Sequence, residues 1–353
     1  MNRLCAHFGT CGGCSFQDMS HDAYLQMKRE QVMRALARHG FENTQVETPV
    51  AVSPHTRRRA TVAFAMRDGA VEIGFRAARS HSIVDLRECL VLTPALMSLI
   101  LSFRDLIPSL VRNGQQGALS ATECDNGTDL SLNLPRKPEL AFSPKLADWA
   151  QRNNVLRLVI NDDVAIQFAT PVIRLGGVEV ALPSNSFLQP TREGEQVLQD
   201  AVSAALGRAR KIVDLFAGCG TFTFAVPPHG SVHAVDSDKA ALSAVQDAAR
   251  RAQKLRPVTT EVRNLLTRPL QPAELAHFDA AIIDPPRSGA GAQAAMLANS
   301  PLRTLACVSC NPETFGRDVR ILADKGFQVA WVKPVDQFLW SSHIELVAHL
   351  ERH

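Results

Sequence analysis

The sequence predicts an α/β protein in two parts: a doubly wound, mostly parallel sheet in the second half, and a smaller, mainly antiparallel unit before it. Three observations carry this. From about residue 190 onward, apolar runs at 211–216, 231–235, 280–283 and 304–308 alternate with helix-length amphipathic stretches, the texture of strands covered on both faces by helices. Between about 48 and 183 the runs are short and alternate apolar with polar residues, as half-buried antiparallel strands do. Residues 1–19 are rich in Cys and Gly and read as a loop. The expected division is between residues 1–185 and 186–353, with the helix near 20–40 able to pack on the second part.

Length fits that division. At about 150 residues per domain, 353 residues make two domains with enough core to need no cross-links. Hydrophobic residues at 46% and charged residues at 21% exclude a collagen, a disordered tail and a coiled-coil rod. No apolar run approaches the ~18 residues of a membrane helix. The polar start lacks a signal-peptide core, so a cytoplasmic protein without a membrane partner is expected. Lys plus Arg is 38 against 35 Asp plus Glu, a net +3, too even to identify a polyanionic partner by charge alone. In a reducing compartment, the eight cysteines point to metal binding or catalysis before disulfides.

In chain order, Ser20 can cap a helix over 20–39, with Leu25, Val32 and Leu36 on one face and Gly40 to end it. Strands follow at 61–65 and 71–75, then a helical stretch near 93–113, then strands at 130–134, 156–160, 164–168 and 172–175. The alternating α/β region comes next, and an apolar strand over 344–350 closes the chain.

Residues 212–221 read Ile-Val-Asp-Leu-Phe-Ala-Gly-Cys-Gly-Thr, a buried strand running through a tight turn into a helix. Gly218 and Gly220 let the backbone turn and approach a ligand. Asp236 ends the next strand, where an acid about 20 positions after the turn accepts ribose hydroxyls. A dinucleotide site would want a third Gly where Thr223 stands, so a nucleoside cofactor such as S-adenosylmethionine fits better. A plain β–α turn with a surface acid has the same residues; two further strand-end motifs tip the balance. Asp284 follows an apolar strand, and Pro285 and Pro286 fix the loop after it, at the edge where open α/β sheets bind ligands. The plainer reading is a helix-capping Asp. Cys310 follows the next strand, on the same edge and beside the turn Asn311-Pro312, whereas Cys307 lies within the strand and belongs to the core. At the chain's end, alternation places His343 and Glu345 on one face of the last strand. A thiol and a carboxylate at one sheet edge suit covalent catalysis with a general base; a solvated edge residue is the plainer reading of Glu345.

In this order, Asp-Leu-Phe-Ala-Gly-Cys-Gly, Asp-Pro-Pro-Arg, Ser-Cys-Asn-Pro-x-Thr and the terminal His-x-Glu resemble the RNA uracil-C5 methyltransferase family. Asn185-Ser-Phe-Leu-Gln-Pro resembles the family's segment before the catalytic fold. The resemblance implies a Rossmann-like S-adenosylmethionine-dependent methyltransferase domain, with Gln189, Phe216, Thr221, Asp236, Asn264 and Asp284 holding the cofactor. It implies that Cys310 attacks C6 of uracil, that C5 is then methylated, and that Glu345 removes the C5 proton. Thr221 stands where the family often has an amide side chain, and Asp236 where it has a longer Glu. The target base must leave its stack, at a cost of about a few kcal/mol.

Cys5, Cys11 and Cys14, with Gly12 and Gly13 between them, supply three thiols and need a fourth ligand. Cys89 is the best candidate, since Cys124 sits in a polar loop. Spacing alone allows a four-thiolate zinc or an iron–sulfur cluster. The resemblance decides: the four cysteines match the [4Fe–4S] pattern of the family's ribosomal-RNA branch, so an N-terminal iron–sulfur loop is expected, and the OB-like domain of larger members is expected to be absent. Arg57, Arg58, Arg59, Arg76 and Arg79 are candidate phosphate contacts, though a charge run is more often a solvated face. The expected substrate is 23S rRNA, with tRNA as the alternative. A non-catalytic RNA-binding iron–sulfur protein is a third possibility, disfavoured by the presence of both Cys310 and Glu345.

Overall fold

The structure, a computed structural model, describes residues 4–135, 144–253 and 255–353. Among these, three sheets form. The largest has eight strands in the order Val50–Ala51, Gln328–Asp336, Glu345–Glu351, Thr304–Ser309, Ala280–Ile283, Lys211–Leu215, Ser231–Asp236 and Val258–Val262. All neighbours are parallel except Glu345–Glu351, which lies antiparallel between its two partners. The central strand Ala280–Ile283 is buried along its whole length. Helix Arg192–Leu206 packs on this sheet, and helices Gly291–Ala298 and Pro312–Ala323 pack on each other beside it.

The second sheet has six strands, Ala70–Gly74, Arg59–Arg67, Gln116–Glu123, Thr128–Asn133, Val155–Ile160 and Asp163–Gln167. It is antiparallel apart from one pair, Thr128–Asn133 with Val155–Ile160; helix Pro144–Arg152 lies in that connection, as a parallel crossover requires. Two of its turns follow from residue type. Asp68 and Gly69 both have positive φ, as do Asn161 and Asp162, the conformation that lets a two-residue hairpin follow the strand twist. The helical stretch expected near 93–113 is broken into Pro94–Ser102, a 3₁₀ turn at Phe103–Leu106 and a short helix Ile107–Leu110; Pro108 offers no amide to a continuous helix.

The N-terminal part does not all belong with that second sheet. Helix His21–Ala37, capped by Ser20, packs on helix Pro312–Ala323, and Val50–Ala51 extends the eight-stranded sheet. The hairpin Val172–Leu175 with Val178–Ala181 packs on helix Lys239–Arg251. Segments on the first side of the expected 185/186 division are therefore built into the second unit. Among the described residues no helix is long and apolar enough to cross a membrane.

Candidate active site

Strand register assembles the site. In a parallel sheet every strand points its C-terminal end to one edge. Leu215 pairs with Val235 and Ile283, so Phe216, Asp236 and Asp284 lie side by side; the Asp284 amide donates to the Leu215 carbonyl at 3.2 Å. Ile283 pairs with Cys307, and Ser309 with Leu346 in the antiparallel last strand. That places Cys310 beside Glu345, at the same edge as Asp284. Asn264 follows the outermost strand at this edge and is exposed, its Oδ1 accepting from the Leu266 amide at 3.0 Å.

The Gly turn leaves room for a ligand. Phe216 and Gly218 have positive φ, and a Cβ on Gly218 would meet no atom within 4 Å. Gly220 also has positive φ, but a Cβ there would lie 2.8 Å from the Phe224 ring. So Gly218 faces open space and Gly220 lets the Phe224 ring pack against the turn. Thr223, where a dinucleotide fold would have Gly, is buried and donates to Asp214 Oδ2 at 2.6 Å. Asp236 already has tasks: its two oxygens accept from the Gly218 and Asp238 amides at 2.9 and 2.8 Å. The Thr221 carbonyl accepts from Gln199 at 2.9 Å, which leaves its hydroxyl free of that bond. Gln189 is buried, and its Oε1 accepts from Gln337 at 2.6 Å.

Electrostatically the edge is a cluster of carboxyls. Asp214 and Glu345 are each pushed up to about 7 by burial, and Asp284 is held well above the usual carboxylate range by burial, then by Glu345 and Asp214. Burial first, then Glu345 and Asp284, raise the Cys310 thiol to about 11, with Arg287 pulling the other way. One oxygen of Asp214 is buried with no hydrogen-bond partner. An orphaned carboxylate oxygen, a buried Asp284 facing two further carboxyls and an open space at Gly218 fit a cationic nucleoside ligand.

Several readings from the sequence change here. Asp284 precedes a loop and caps no helix, whereas Asn311 does: its side chain accepts from the Glu313 amide at the start of helix Pro312–Ala323. The last strand begins at Glu345, so alternation does not link it to His343. His343 is exposed, and Glu345, far from a solvated edge, is 4% exposed inside the sheet. Arg58 is not a phosphate contact. It is 1% exposed, pairs with Glu195 at 2.6 Å and donates to the Gln189 carbonyl at 3.1 Å, joining the two units. Arg57 lies over the Phe338 ring and Arg59 over the exposed Phe187 ring; Arg76 and Arg79 are exposed. Sequence reasoning missed Gln337 and Asp214. The second carried a signal, a carboxylate inside an apolar strand.

Cys5, Cys11, Cys14 and Cys89 line one cavity of about 490 Å³, while Cys124 is buried elsewhere, in the core beneath the Val172–Ala181 hairpin. Among the described residues no three Cys, His, Asp or Glu side chains converge as they would around one metal ion. Backbone amides point at two of the sulfurs: Gly13 at Cys11, and Val91 and Leu92 at Cys89. A Cβ on Gly12 would lie 2.9 Å from the Arg76 carbonyl, so only Gly lets the loop close there.

The fold and the ligand edge define an S-adenosylmethionine-dependent α/β methyltransferase. The family model for tRNA (uracil-5-)-methyltransferase matches residues 167–353. An uncharacterized RNA methyltransferase of Brucella suis is 38% identical over 351 residues, covering 99% of this chain and 84% of the relative. The 23S rRNA (uracil(1939)-C(5))-methyltransferase RlmD of Halomonas elongata is 30% identical over 369 residues, covering 98% and 76%. In structure, the chain is similar to a Pyrococcus abyssi tRNA (uracil-54, C5)-methyltransferase solved with S-adenosyl-L-homocysteine: TM-score 0.74, 24% identity, 96% of this chain and 85% of that one. The chain belongs to the tRNA (uracil-5-)-methyltransferase family.

Proposed function

We propose that the protein methylates C5 of a uridine in 23S rRNA through a covalent Cys310–C6 adduct, with Glu345 as the general base. The observation that carries this is the register that brings Cys310, Asp284 and Glu345 to the edge beside Gly218. S-adenosylmethionine, when bound, supplies the methyl group. Gln189, Phe216, Thr221, Asp236, Asn264 and Asp284 are the residues assigned to its binding, and Asp284 also faces the uracil edge. The C5 carbon of uracil is a poor nucleophile. When the Cys310 sulfur bonds to C6, the displaced electron pair makes C5 enolate-like and able to take a methyl cation equivalent. Glu345 then accepts the C5 proton, the C5–C6 double bond re-forms, and the Cys310–C6 bond breaks. The Cys310 thiol, raised to about 11 first by burial and then by Glu345 and Asp284, gives its proton to solvent as the sulfur attacks; positive charge arriving beside Asp284 eases that loss. Glu345, poised at about 7, is near the optimum for moving a proton at neutral pH.

Cys5, Cys11, Cys14 and Cys89 are the ligands of a structural [4Fe–4S] cluster in this reading, in a cytoplasmic enzyme. That cysteine set favours 23S rRNA over tRNA. The decisive experiment is incubation with 5-fluorouridine-containing RNA and cofactor. The C5 fluorine cannot leave as a proton, so a covalent protein–RNA complex is expected. It should vanish in Cys310→Ala while cofactor binding persists. Folded, cofactor-bound wild type that traps no complex would refute the chemistry. Anaerobically isolated protein should be brown and contain iron and sulfide; colourless protein holding one equivalent of zinc would refute the cluster.

A further inference from the structure

Away from the reacting groups, the core holds a charged cluster that the chemistry above does not use. Lys28, on helix His21–Ala37, and Asp336, the last residue of its strand, both have fully buried side chains and pair at 3.0 Å. Lys28 also donates to the His343 carbonyl. The Tyr24 hydroxyl donates to the other Asp336 oxygen and accepts the Trp340 amide at 2.7 Å. Trp340 has φ +61°, a left-handed conformation that a bulky residue keeps only when its surroundings dictate it. Its carbonyl accepts from the Ser15 and Phe16 amides at 2.7 and 3.1 Å, immediately after Cys14.

These contacts tie down segment 337–344 at its start, middle and end. Gln337, bonded to Gln189, follows Asp336 directly. His343 lies two residues before Glu345. A buried ion pair is a poor way to gain stability, since apolar side chains of similar size do as well or better; what it gives is fixed geometry. A general base must be held within about 0.5 Å of its working position.

We infer that Tyr24, Lys28 and Asp336 are positioning residues for Glu345, and that the cysteine segment, through Ser15 and Trp340, sets the same loop. The N-terminal segment thus governs the departure of the C5 proton. This rests on Glu345 as the base. The step concerned begins after the methyl group has reached C5: the proton moves to the Glu345 carboxylate, its bonding pair forms C5=C6, and the sulfur leaves C6 with its own pair.

The test uses full-length enzyme, with Tyr24→Phe and Lys28→Met, on RNA carrying ordinary or 5-deuterated uridine. Covalent adduct should form within about twofold of the wild-type rate, while its release slows about tenfold, so adduct accumulates on denaturing gels. The deuterium effect on product release should be small in wild type and larger in both variants. Equal slowing of adduct formation and release, or an unchanged isotope effect in folded variants, would overturn the inference. Should Lys28→Met not fold, Tyr24→Phe, which keeps the ring, decides alone. Glu345→Gln is the control: if it fails to accumulate adduct, the base assignment itself falls.

Discussion

Replacing Glu345 with Gln should stabilise the protein, and only at neutral and alkaline pH. The carboxyl is 4% exposed, and burial raises it from 4.5 to about 7. The folded state therefore binds its proton more tightly than the unfolded chain. With the folded pKa above the unfolded one, the stability this group allows is fully present below about 4.5. It is lost as pH rises to about 7, and the loss is constant above that. At about 1.4 kcal/mol per pH unit, a shift from 4.5 to about 7 corresponds to ~3 kcal/mol. Gln carries no such penalty and keeps nearly the same shape. Urea unfolding of both proteins, read at several pH values on the transition of the catalytic sheet, should show Glu345→Gln more stable by about 3 kcal/mol at pH 8.5 and by less than about 1 kcal/mol at pH 5. Methylation should be lost in the same variant, the usual exchange of stability for function at a strained site. A variant equally stable at both pH values, or less stable at pH 8.5, would refute the account of Glu345 as a buried, charge-burdened base.

Three further outcomes follow from the site and its supports. Arg58→Met leaves Glu195 buried and unpaired and should cost about 3–5 kcal/mol in thermal or urea unfolding, while Arg58→Met with Glu195→Met should recover most of it. Gly218→Ala, whose new methyl points into open space, should lose at least tenfold in S-adenosylhomocysteine affinity by calorimetry with about 1–2 kcal/mol of destabilisation; Gly220→Ala, pressed against Phe224, should show the larger drop in melting temperature. The rate of product formation should rise through pH ~7 as Glu345 ionises, and a profile flat from pH 5.5 to 8 would remove Glu345 from the base role.

Much of the sheet edge that carries the candidate site was legible in the sequence, because the features that build it are local. Buried strands show as unbroken apolar runs, prolines fix the loop after Asp284, and the Gly turn declares itself. What escaped depends on partners distant in the chain. Nothing around residues 50–51 or 172–181 says that they pack with a unit completed near residue 345. Arg58 looks like its neighbours Arg57 and Arg59 until Glu195 is seen beside it. The depth of Glu345 was not legible, because polar residues flank its strand and the antiparallel insertion is what buries it. The parallel pair Thr128–Asn133 with Val155–Ile160 was hidden because the first strand alternates in sequence as an antiparallel one does. Asp214 was overlooked in a run read only for hydrophobicity.

The place of the final strand has a consequence for how the chain is made. Glu345–Glu351 lies between two strands that precede it in sequence, so until residues 345–351 leave the ribosome the sheet has an interior gap. A nascent or C-terminally clipped chain therefore presents two raw strand edges, Thr304–Ser309 and Gln328–Asp336, each able to recruit a foreign β-segment. Loss of residues 345–351 should expose both edges and favour aggregation, although nearly every other contact of the fold is already encoded upstream.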